Sequence, residues 1–151
     1  MTIWIDADAC PAAIRDIVLR ASRRTGIPVV LVANKDIPSV RQVPGVTLIQ
    51  VGMGADVADQ HIADNMAPED LVITADLPLA AQVVENGGTA LSHQGTEYTI
   101  ENVRQQLSMR DFMESMRGAG LASGGPPPQS GKDRQRFANA LDRLLTQRCG
   151  G

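Results

Sequence analysis

The sequence has few cysteines and few aromatic side chains. It contains two cysteines, and aromatic residues make up only 3% of its 151 residues, so its core has to be aliphatic. Cys10 and Cys149 stand at opposite ends of the chain, which favours the free thiols of a cytoplasmic protein over a disulfide. No apolar run approaches the ~18 residues that a membrane span needs. The N-terminus lacks the basic segment and long apolar stretch of a signal peptide, so we expect neither an anchor nor a leader.

The sequence also lacks an excess of positively charged residues. The net charge is −3, which argues against tight, sequence-blind binding to nucleic acid. The charges are unevenly divided: 6 basic and 11 acidic residues occur up to Thr96, and 8 basic and 6 acidic residues follow from Glu97 onward. Two interpretations stay open. An acidic first part could hold a metal while a basic last part holds a phosphate backbone, or the division is ordinary surface variation.

Short apolar runs alternate with helical patterns along the chain. The predicted strands cover 2–6, 27–34, 46–51, 70–76 and 88–92, and the predicted helices cover 12–24, 54–66, 77–86, 99–117 and 132–148. Apolar strands that alternate with helices are typical of a parallel sheet covered on both faces. We therefore predict a single α/β domain over residues 1–151, with three α/β/α layers and a mainly parallel central sheet of about five strands. A Gly/Pro-rich loop is expected at 118–131, before the last helix.

Aspartates follow two of the predicted strands, and two more lie on the helix after the third. Asp6 ends the first strand and Asp8 follows it, Asp76 ends the fourth strand, and Asp56 and Asp59 lie on the helix. Ligands of open α/β sheets bind outside the carboxyl ends of the strands, so these side chains are expected at one edge. Clustered carboxylates suit Mg²⁺ or Mn²⁺, which prefer oxygen ligands. The sequence therefore predicts a divalent-metal site.

Each aspartate also has a structural interpretation. Asp8 could cap the first helix, Asp76 could cap the helix over 77–86, and Asp56 could stabilise its own helix through the helix dipole. On a helical wheel, Asp59 lies beside the apolar stripe. A carboxylate at that margin costs desolvation unless a cation or hydrogen-bond donors satisfy it, so Asp59 is the stronger candidate of the helical pair.

Cysteine and histidine give weaker signals. Cys10 stands near a helix N-terminus, where a thiol pKa can be lowered. No catalytic partner lies near it in sequence, and a small buried cysteine is the preferred interpretation. His93 follows the fifth strand and could act as a base or contact a phosphate, but an ordinary loop histidine is preferred. His61 is expected on the solvated side of its helix.

Four ordered motifs resemble the YaiI/YqxD family of bacterial proteins. They are DADACP after the first strand, GADVADQHIADN, VITADLPLA and the closing GPPPQSGKDRQRFANALDRLL, and together they span essentially the whole chain. The family itself implies no function, but it is similar to PIN-like domains, a group of α/β/α metal-dependent nucleases. The resemblance implies three acidic ligands: Asp6 at the end of the first strand, Asp59 or Asp56 from a helix, and Asp76 after a later strand.

The chain departs from these patterns at two places. The family usually has an arginine-containing segment before its tyrosine, whereas this chain has SHQGTEY at 92–98, which weakens an anion contact there. PIN-like nucleases also commonly carry a fourth acidic residue close to the later-strand one. Leu77, Pro78 and Leu79 cannot serve in that role, so either Asp8 substitutes or the acidic cluster is incomplete.

The predicted activity is metal-dependent hydrolysis of phosphodiester bonds, with RNA as the expected partner and Mg²⁺ or Mn²⁺ as the cofactor. The expected catalytic residues are Asp6, Asp59 and Asp76, and the candidate substrate contacts on the last helix are Lys132, Arg134 and Arg136. That helix could equally be a packing element whose charges face water.

Two further interpretations stay open. Asp-x-Asp after a first strand also occurs in haloacid-dehalogenase phosphatases, where the first aspartate, here Asp6, would be a covalent nucleophile. The hydroxyl residue and the late paired acids of that class are not found. The protein could also be an RNA- or protein-binding module whose acidic pocket is vestigial.

Overall fold

The computed structural model describes residues 1–40, 43–54, 57–118 and 131–149, with side chains for all of these except 110–118 and 148–149. The strands are β1 (Ile3–Asp6), β2 (Val29–Ala33), β3 (Val46–Gln50), β4 (Leu71–Ile73), β5 (Thr89–Leu91) and β6 (Glu97–Tyr98). The α-helices are α1 (Ala12–Thr25), α2 (Val57–Asn65), α3 (Leu77–Glu85), α4 (Ile100–Gly118) and α5 (Gly131–Cys149). A short 3-10 helix covers Pro38–Val40.

The strands form one sheet in the order β3-β2-β1-β4-β5-β6. β1 to β5 are parallel, and β6 pairs antiparallel with β5. The chain leaves β1 toward β2 and β3, then returns to the other side of β1 with β4 and continues outward. The direction of winding therefore reverses between β1 and β4, and this is the position where open α/β sheets form a crevice at their carboxyl ends.

One face of the sheet is covered by α1 and α5, and we call it the α1 face. Alternate strand residues such as Ile5 and Leu31 point to this side and pack with Ile14 and Val18 of α1. Phe137 of α5 is fully buried in the same cluster. Burying a large side chain of this type stabilises the fold by about 1.5–3 kcal/mol relative to leaving it in water, so α5 is part of the core.

The opposite face, which we call the α3 face, is covered by α2, α3 and α4. Trp4 and Val72 point to this side and pack with Ile62 of α2, Val83 of α3 and Val103 of α4. Successive side chains of a strand point to opposite faces, so Asp6, two residues after Trp4, belongs to the α3 face.

A buried carboxylate ties the amino ends of β1 and β4 together. Asp70, 5% exposed, accepts hydrogen bonds from the backbone N–H of Thr2 at 2.9 Å, the indole N–H of Trp4 at 2.9 Å and the backbone N–H of Ala67 at 2.8 Å. Three donors compensate the desolvation of this charge. Asp70 thus acts structurally, at the edge opposite the predicted site.

The α/β fold class and the mostly parallel sheet are confirmed, and the order of the predicted strands and helices is found as expected. The sequence prediction missed β6, and the sheet has six strands instead of about five. The last helix begins at Gly131 and ends at Cys149, one residue beyond the predicted bounds on each side. The predicted loop at 118–131 falls almost entirely on 119–130, outside the described residues, and Gly118 is the last residue of α4.

No helix within the described ranges is both long enough and apolar enough to cross a bilayer.

Candidate functional site: an acidic cluster at the switch point

Asp6 and Asp76 stand on the two sides of the point where the sheet reverses its winding. Asp6 is the last residue of β1, and Asp76 follows β4, the neighbouring strand. Asp76 is the N-cap of α3, and its Oδ1 accepts a hydrogen bond from the backbone N–H of Leu79 at 2.8 Å. Its own backbone N–H donates to Oγ1 of the buried Thr74 at 2.9 Å. The helix start thus fixes the Asp76 carboxylate at the carboxyl edge.

Asp59 brings a third carboxylate to the same place from α2. Ala58 and Ile62 are buried and hold this helix on the α3 face of the sheet. Asp59 lies beside them and is half-buried. Its carboxyl group lies close enough to those of Asp6 and Asp76 for hydrogen bonding when one of the three is protonated. Residues that are far apart in the sequence therefore meet in one acidic cluster.

The pKa values of the cluster reflect this crowding. Burial, then the negative charge of Asp76 and the contacts with Asp6, raise the pKa of Asp59 from 3.8 to about 7. Burial also raises the pKa of Asp6, and the charge of Asp8 adds to that effect, whereas hydrogen bonding with Asp59 acts in the opposite direction. A proton shared within the cluster therefore resides on Asp59, as expected when like charges occupy one site.

One carboxylate oxygen of the cluster lacks the donor that a buried acceptor ordinarily has, although backbone N–H groups do donate to Asp6 and Asp76. Oδ1 of Asp59 is buried and has no hydrogen-bond partner. Asp70, by comparison, is satisfied by three N–H groups. An acceptor left unsatisfied in a protein interior costs about 1–3 kcal/mol. The cluster therefore destabilises the fold, and binding a proton or a cation would reduce that cost. Among the described side chains, no three acidic, histidine or cysteine groups already have the geometry of a metal site.

Asp8, another predicted ligand, is not part of this group of three. Asp8 is exposed, and its Oδ2 accepts a hydrogen bond from the backbone N–H of Asn34 at 2.7 Å. It does not cap α1, which begins after Pro11 without a side-chain cap. Asp8 is near enough for its charge to act on Asp6. Asp56 lies outside the described residues, so its role stays a prediction.

Two residues near the cluster were missed by sequence reasoning. Tyr98 of β6 is buried, and its phenol pKa is raised by burial and by the charge of Asp76. Arg15, in the first turn of α1, is half-buried, and its Nε is buried without a hydrogen-bond partner. Tyr98 was considered only as the end of the SHQGTEY stretch and Arg15 lies in no motif, and only the three-dimensional fold brings them to this edge.

Cys10 is a free, half-buried thiol. Burial raises its pKa to about 12, and although the charge of Arg15 acts in the lowering direction, the charge of Asp6 acts against it. The preferred interpretation of Cys10 as an unreactive, partly buried side chain agrees with this environment.

Both histidines are at least partly buried. His93 lies in the turn after β5, as the loop interpretation predicted, but its side chain is only 6% exposed and burial lowers its pKa. His61 is half-buried, and its ring centroid lies 6.4 Å from that of Trp4. The expected position of His61 on the solvated side of α2 is found only in part, because α2 lies close enough to β1 for the two rings to approach each other.

The predicted substrate contacts lie on the other face of the sheet. Lys132, Arg134 and Arg136 are exposed residues in the first turns of α5. The backbone of Arg136 approaches Gly95, in the loop after β5, so closely that a Cβ at Gly95 would lie 2.7 Å from it. The three basic side chains are therefore near the carboxyl edge of β5, and their contact with a substrate stays a prediction.

This geometry defines an α/β protein with a carboxylate cluster at the switch point of its parallel sheet. The family model described as "Uncharacterized BCR, YaiI/YqxD family" matches residues 4–147. The chain belongs to this family, as the four motifs predicted.

This chain aligns with similar proteins over nearly the whole length of each of them. A UPF0178 protein of Geobacter metallireducens is 59% identical over 147 residues, which are 97% of this chain and 94% of that protein. A UPF0178 protein of Thioalkalivibrio sulfidiphilus is 52% identical over 98% of this chain and 100% of its own. One from Shewanella baltica is 52% identical over 96% of both. No solved structure matches the chain significantly.

Proposed function

We propose that this protein is a metal-dependent phosphodiesterase that hydrolyses RNA, with its active site at the cluster of Asp6, Asp59 and Asp76. The observation that carries the proposal is that Oδ1 of Asp59 is buried and unpartnered in a carboxyl group that lies close to those of Asp6 and Asp76. A stable fold does not need this arrangement, since Asp70 demonstrates how the same chain satisfies a buried carboxylate for structural purposes.

The donor set fits Mg²⁺ or Mn²⁺, because both ions prefer oxygen ligands and are commonly held by a few carboxylates and water. Asp6, Asp59 and Asp76 would hold the ion, and Asp8 and Asp56 would contribute further negative charge. Since the three carboxylates do not yet have the geometry of a metal site, binding would draw them together as the proton on Asp59 leaves. A bound ion would lower the pKa of a water molecule and neutralise charge on the scissile phosphate.

The remaining residues have supporting roles in this proposal. The backbone N–H of Leu79 orients Asp76 through one oxygen and leaves the other oxygen for the cluster. The backbone N–H of Asn34 holds Asp8 in place. The positive charge required near the substrate would come from Lys132, Arg134 and Arg136 at the start of α5.

The test combines metal binding with cleavage. Mn²⁺ binding is measured by calorimetry, and cleavage of labelled RNA and DNA oligonucleotides is followed with Mn²⁺ or Mg²⁺ for the wild type, Asp6→Asn and Asp59→Asn. Both variants should lose metal binding and cleavage while they stay folded by circular dichroism. Asp64→Asn is the matched control, because Asp64 is an exposed aspartate on the same helix, and its Oδ1 accepts a hydrogen bond from the side chain of Gln60.

Two results would overturn the proposal. The first is a wild type that neither binds Mn²⁺ nor cleaves any of the oligonucleotides. The second is equal cleavage by the wild type and Asp6→Asn, which would assign the activity to a contaminant or another site. Binding of RNA without metal or cleavage would instead favour a binding module with a vestigial pocket.

A further inference from the structure

The charges of this molecule are divided between layers. Helix α1 contains four arginines and one aspartate, and α5 contains one lysine, four arginines and two aspartates, so the two helices together carry +6. Because the net charge of the whole chain is −3, the rest of the chain has a net charge of −9. A separation of this size produces opposite potentials on the two sides of a small protein.

The two basic helices lie side by side on the α1 face. Arg24 in the last turn of α1 forms an ion pair with Asp142 of α5, and a groove of about 250 Å³ between the helices is lined by Ile17, Arg20 and Ala138 among others. The exposed arginines of this surface are Arg20, Arg23, Arg24, Arg134, Arg136 and Arg143. We call this surface the basic face.

The basic face leads toward the acidic cluster. α1 begins at the carboxyl edge because it directly follows β1, and the close approach of Gly95 to Arg136 places the early turns of α5 at the same edge. The pairing of Arg24 with Asp142 then requires both helices to run in the same direction away from that edge. At 1.5 Å per residue, α1 provides a surface about 20 Å long.

Arg15 lies at the carboxyl-edge end of the basic face. It is in the first turn of α1, and its charge and that of Asp6 both act on the thiol of Cys10, which therefore lies near both. Among the described side chains, no carboxylate forms an ion pair with Arg15, whereas Arg24 pairs with Asp142. Its buried Nε also lacks an acceptor. A cation in this position can be satisfied by an anion that arrives from outside.

We propose that the basic face is the docking surface for the phosphate backbone of RNA, which passes along α1 and α5, crosses the carboxyl edge beside Arg15 and reaches the acidic cluster on the other face. The choice of RNA rests on the proposed function. The geometry favours an extended polyanion, because the arginines are spread along two helices and are mostly unpaired. A face about 20 Å long spans roughly six nucleotide steps at 3.4 Å per step.

The test is a binding measurement that does not depend on cleavage. The dissociation constant of the metal-free full-length protein for a single-stranded RNA 12-mer is measured by fluorescence anisotropy between 0.05 and about 0.3 M salt, conditions chosen because phosphate contacts make affinity fall steeply with salt. The plot of log K against log salt has a negative slope, and each lost phosphate contact should make that slope less steep by about 0.7. Arg20→Gln/Arg143→Gln should therefore reduce the slope by about 1.4 and weaken binding on the order of tenfold at 0.1 M salt.

The matched control removes one exposed helical arginine from the opposite face. Arg104 lies on α4, on the α3 side of the sheet. Arg104→Gln should leave affinity nearly unchanged, whereas Arg20→Gln alone should reduce the slope by about 0.7. Circular dichroism and thermal melts establish that all variants fold alike, as expected for exposed side chains.

Equal effects of Arg20→Gln and Arg104→Gln would overturn the inference, because the binding would then reflect charge alone. Binding to vesicles of anionic lipid with weaker or no binding to RNA would overturn it in favour of a membrane surface. The outcome is separable from that of the proposed function. Asp6→Asn should still bind RNA, so binding that persists without any cleavage would reject the phosphodiesterase and retain the docking surface.

Discussion

Asp59→Asn should make the metal-free protein more stable at neutral and alkaline pH, although it removes a proposed active-site residue. The wild type buries a carboxyl whose pKa is raised from 3.8 to about 7. The stability associated with its proton is fully present below about pH 3.8 and is lost as the pH rises through about 7. An asparagine has nearly the same shape and no charge to lose, so the variant should keep this stability at high pH.

The size of this change in stability follows from the shift in the pKa of Asp59. A change from 3.8 to about 7 is about three pKa units, and at 1.36 kcal/mol per unit this gives about 4 kcal/mol as an upper bound. Asp59 is half-buried, so water screens part of the repulsion. We therefore expect the free energy of unfolding of the wild type to fall by about 1–2 kcal/mol, relative to that of Asp59→Asn, between pH 5 and pH 8.

The assay is urea denaturation of both proteins at pH 5, 6, 7 and 8 in a chelating buffer. Asp64→Asn controls for the loss of a charge from α2, and its difference from the wild type should be independent of pH in this range. Mn²⁺ at pH 8 should stabilise the wild type but not Asp59→Asn. If the wild type and Asp59→Asn lose stability in parallel from pH 5 to pH 8, the carboxylates do not repel one another and the reasoning fails.

Three further predictions concern the rest of the fold. Asp70→Ala leaves three N–H groups without an acceptor and should lower the free energy of unfolding by about 3 kcal/mol in urea, and a loss under about 1 kcal/mol would contradict a structural role. Gly95→Ala should cost at least about 2 kcal/mol in the same assay, because φ is +87° and the new Cβ would lie 2.7 Å from the backbone of α5. Gly52→Ala, which has open space around it, should cost less than about 1 kcal/mol. Cys10, with a thiol pKa of about 12, should react with a disulfide reagent at pH 8 about a hundredfold more slowly than free cysteine in a Cys149→Ser background, and rapid labelling would show that the thiol is accessible and ionised.

Much of the fold could be predicted because the apolar strands and amphipathic helices have clear and different periodicities. β6 was missed because Glu97–Tyr98 contains only two residues, too few to show a pattern, and it forms only by pairing with β5. The start of α3 followed from local chemistry, since Asp76 and Pro78 are a cap and a favoured first-turn residue.

The candidate site was less accessible to sequence reasoning. The position of Asp59 at the margin of an apolar stripe correctly indicated a half-buried carboxylate. Its proximity to Asp6 and Asp76 depends on how α2 crosses the sheet, which no local pattern encodes. Along the sequence the charge balance changes near Thr96, whereas in the folded protein it differs between the two faces of the sheet, because α1 from the first part packs beside α5 from the last.

The packing of α5 has a consequence for the order of assembly. Helix α5 comes after all the other described strands and helices, yet its residues Phe137, Leu141 and Leu145 complete the core of the α1 face. During synthesis, Ile14 and Val18 therefore stay without their final covering until residues 131–149 have been made. A chain that stops before residue 131 presents a broad aliphatic surface to water and should aggregate or engage chaperones.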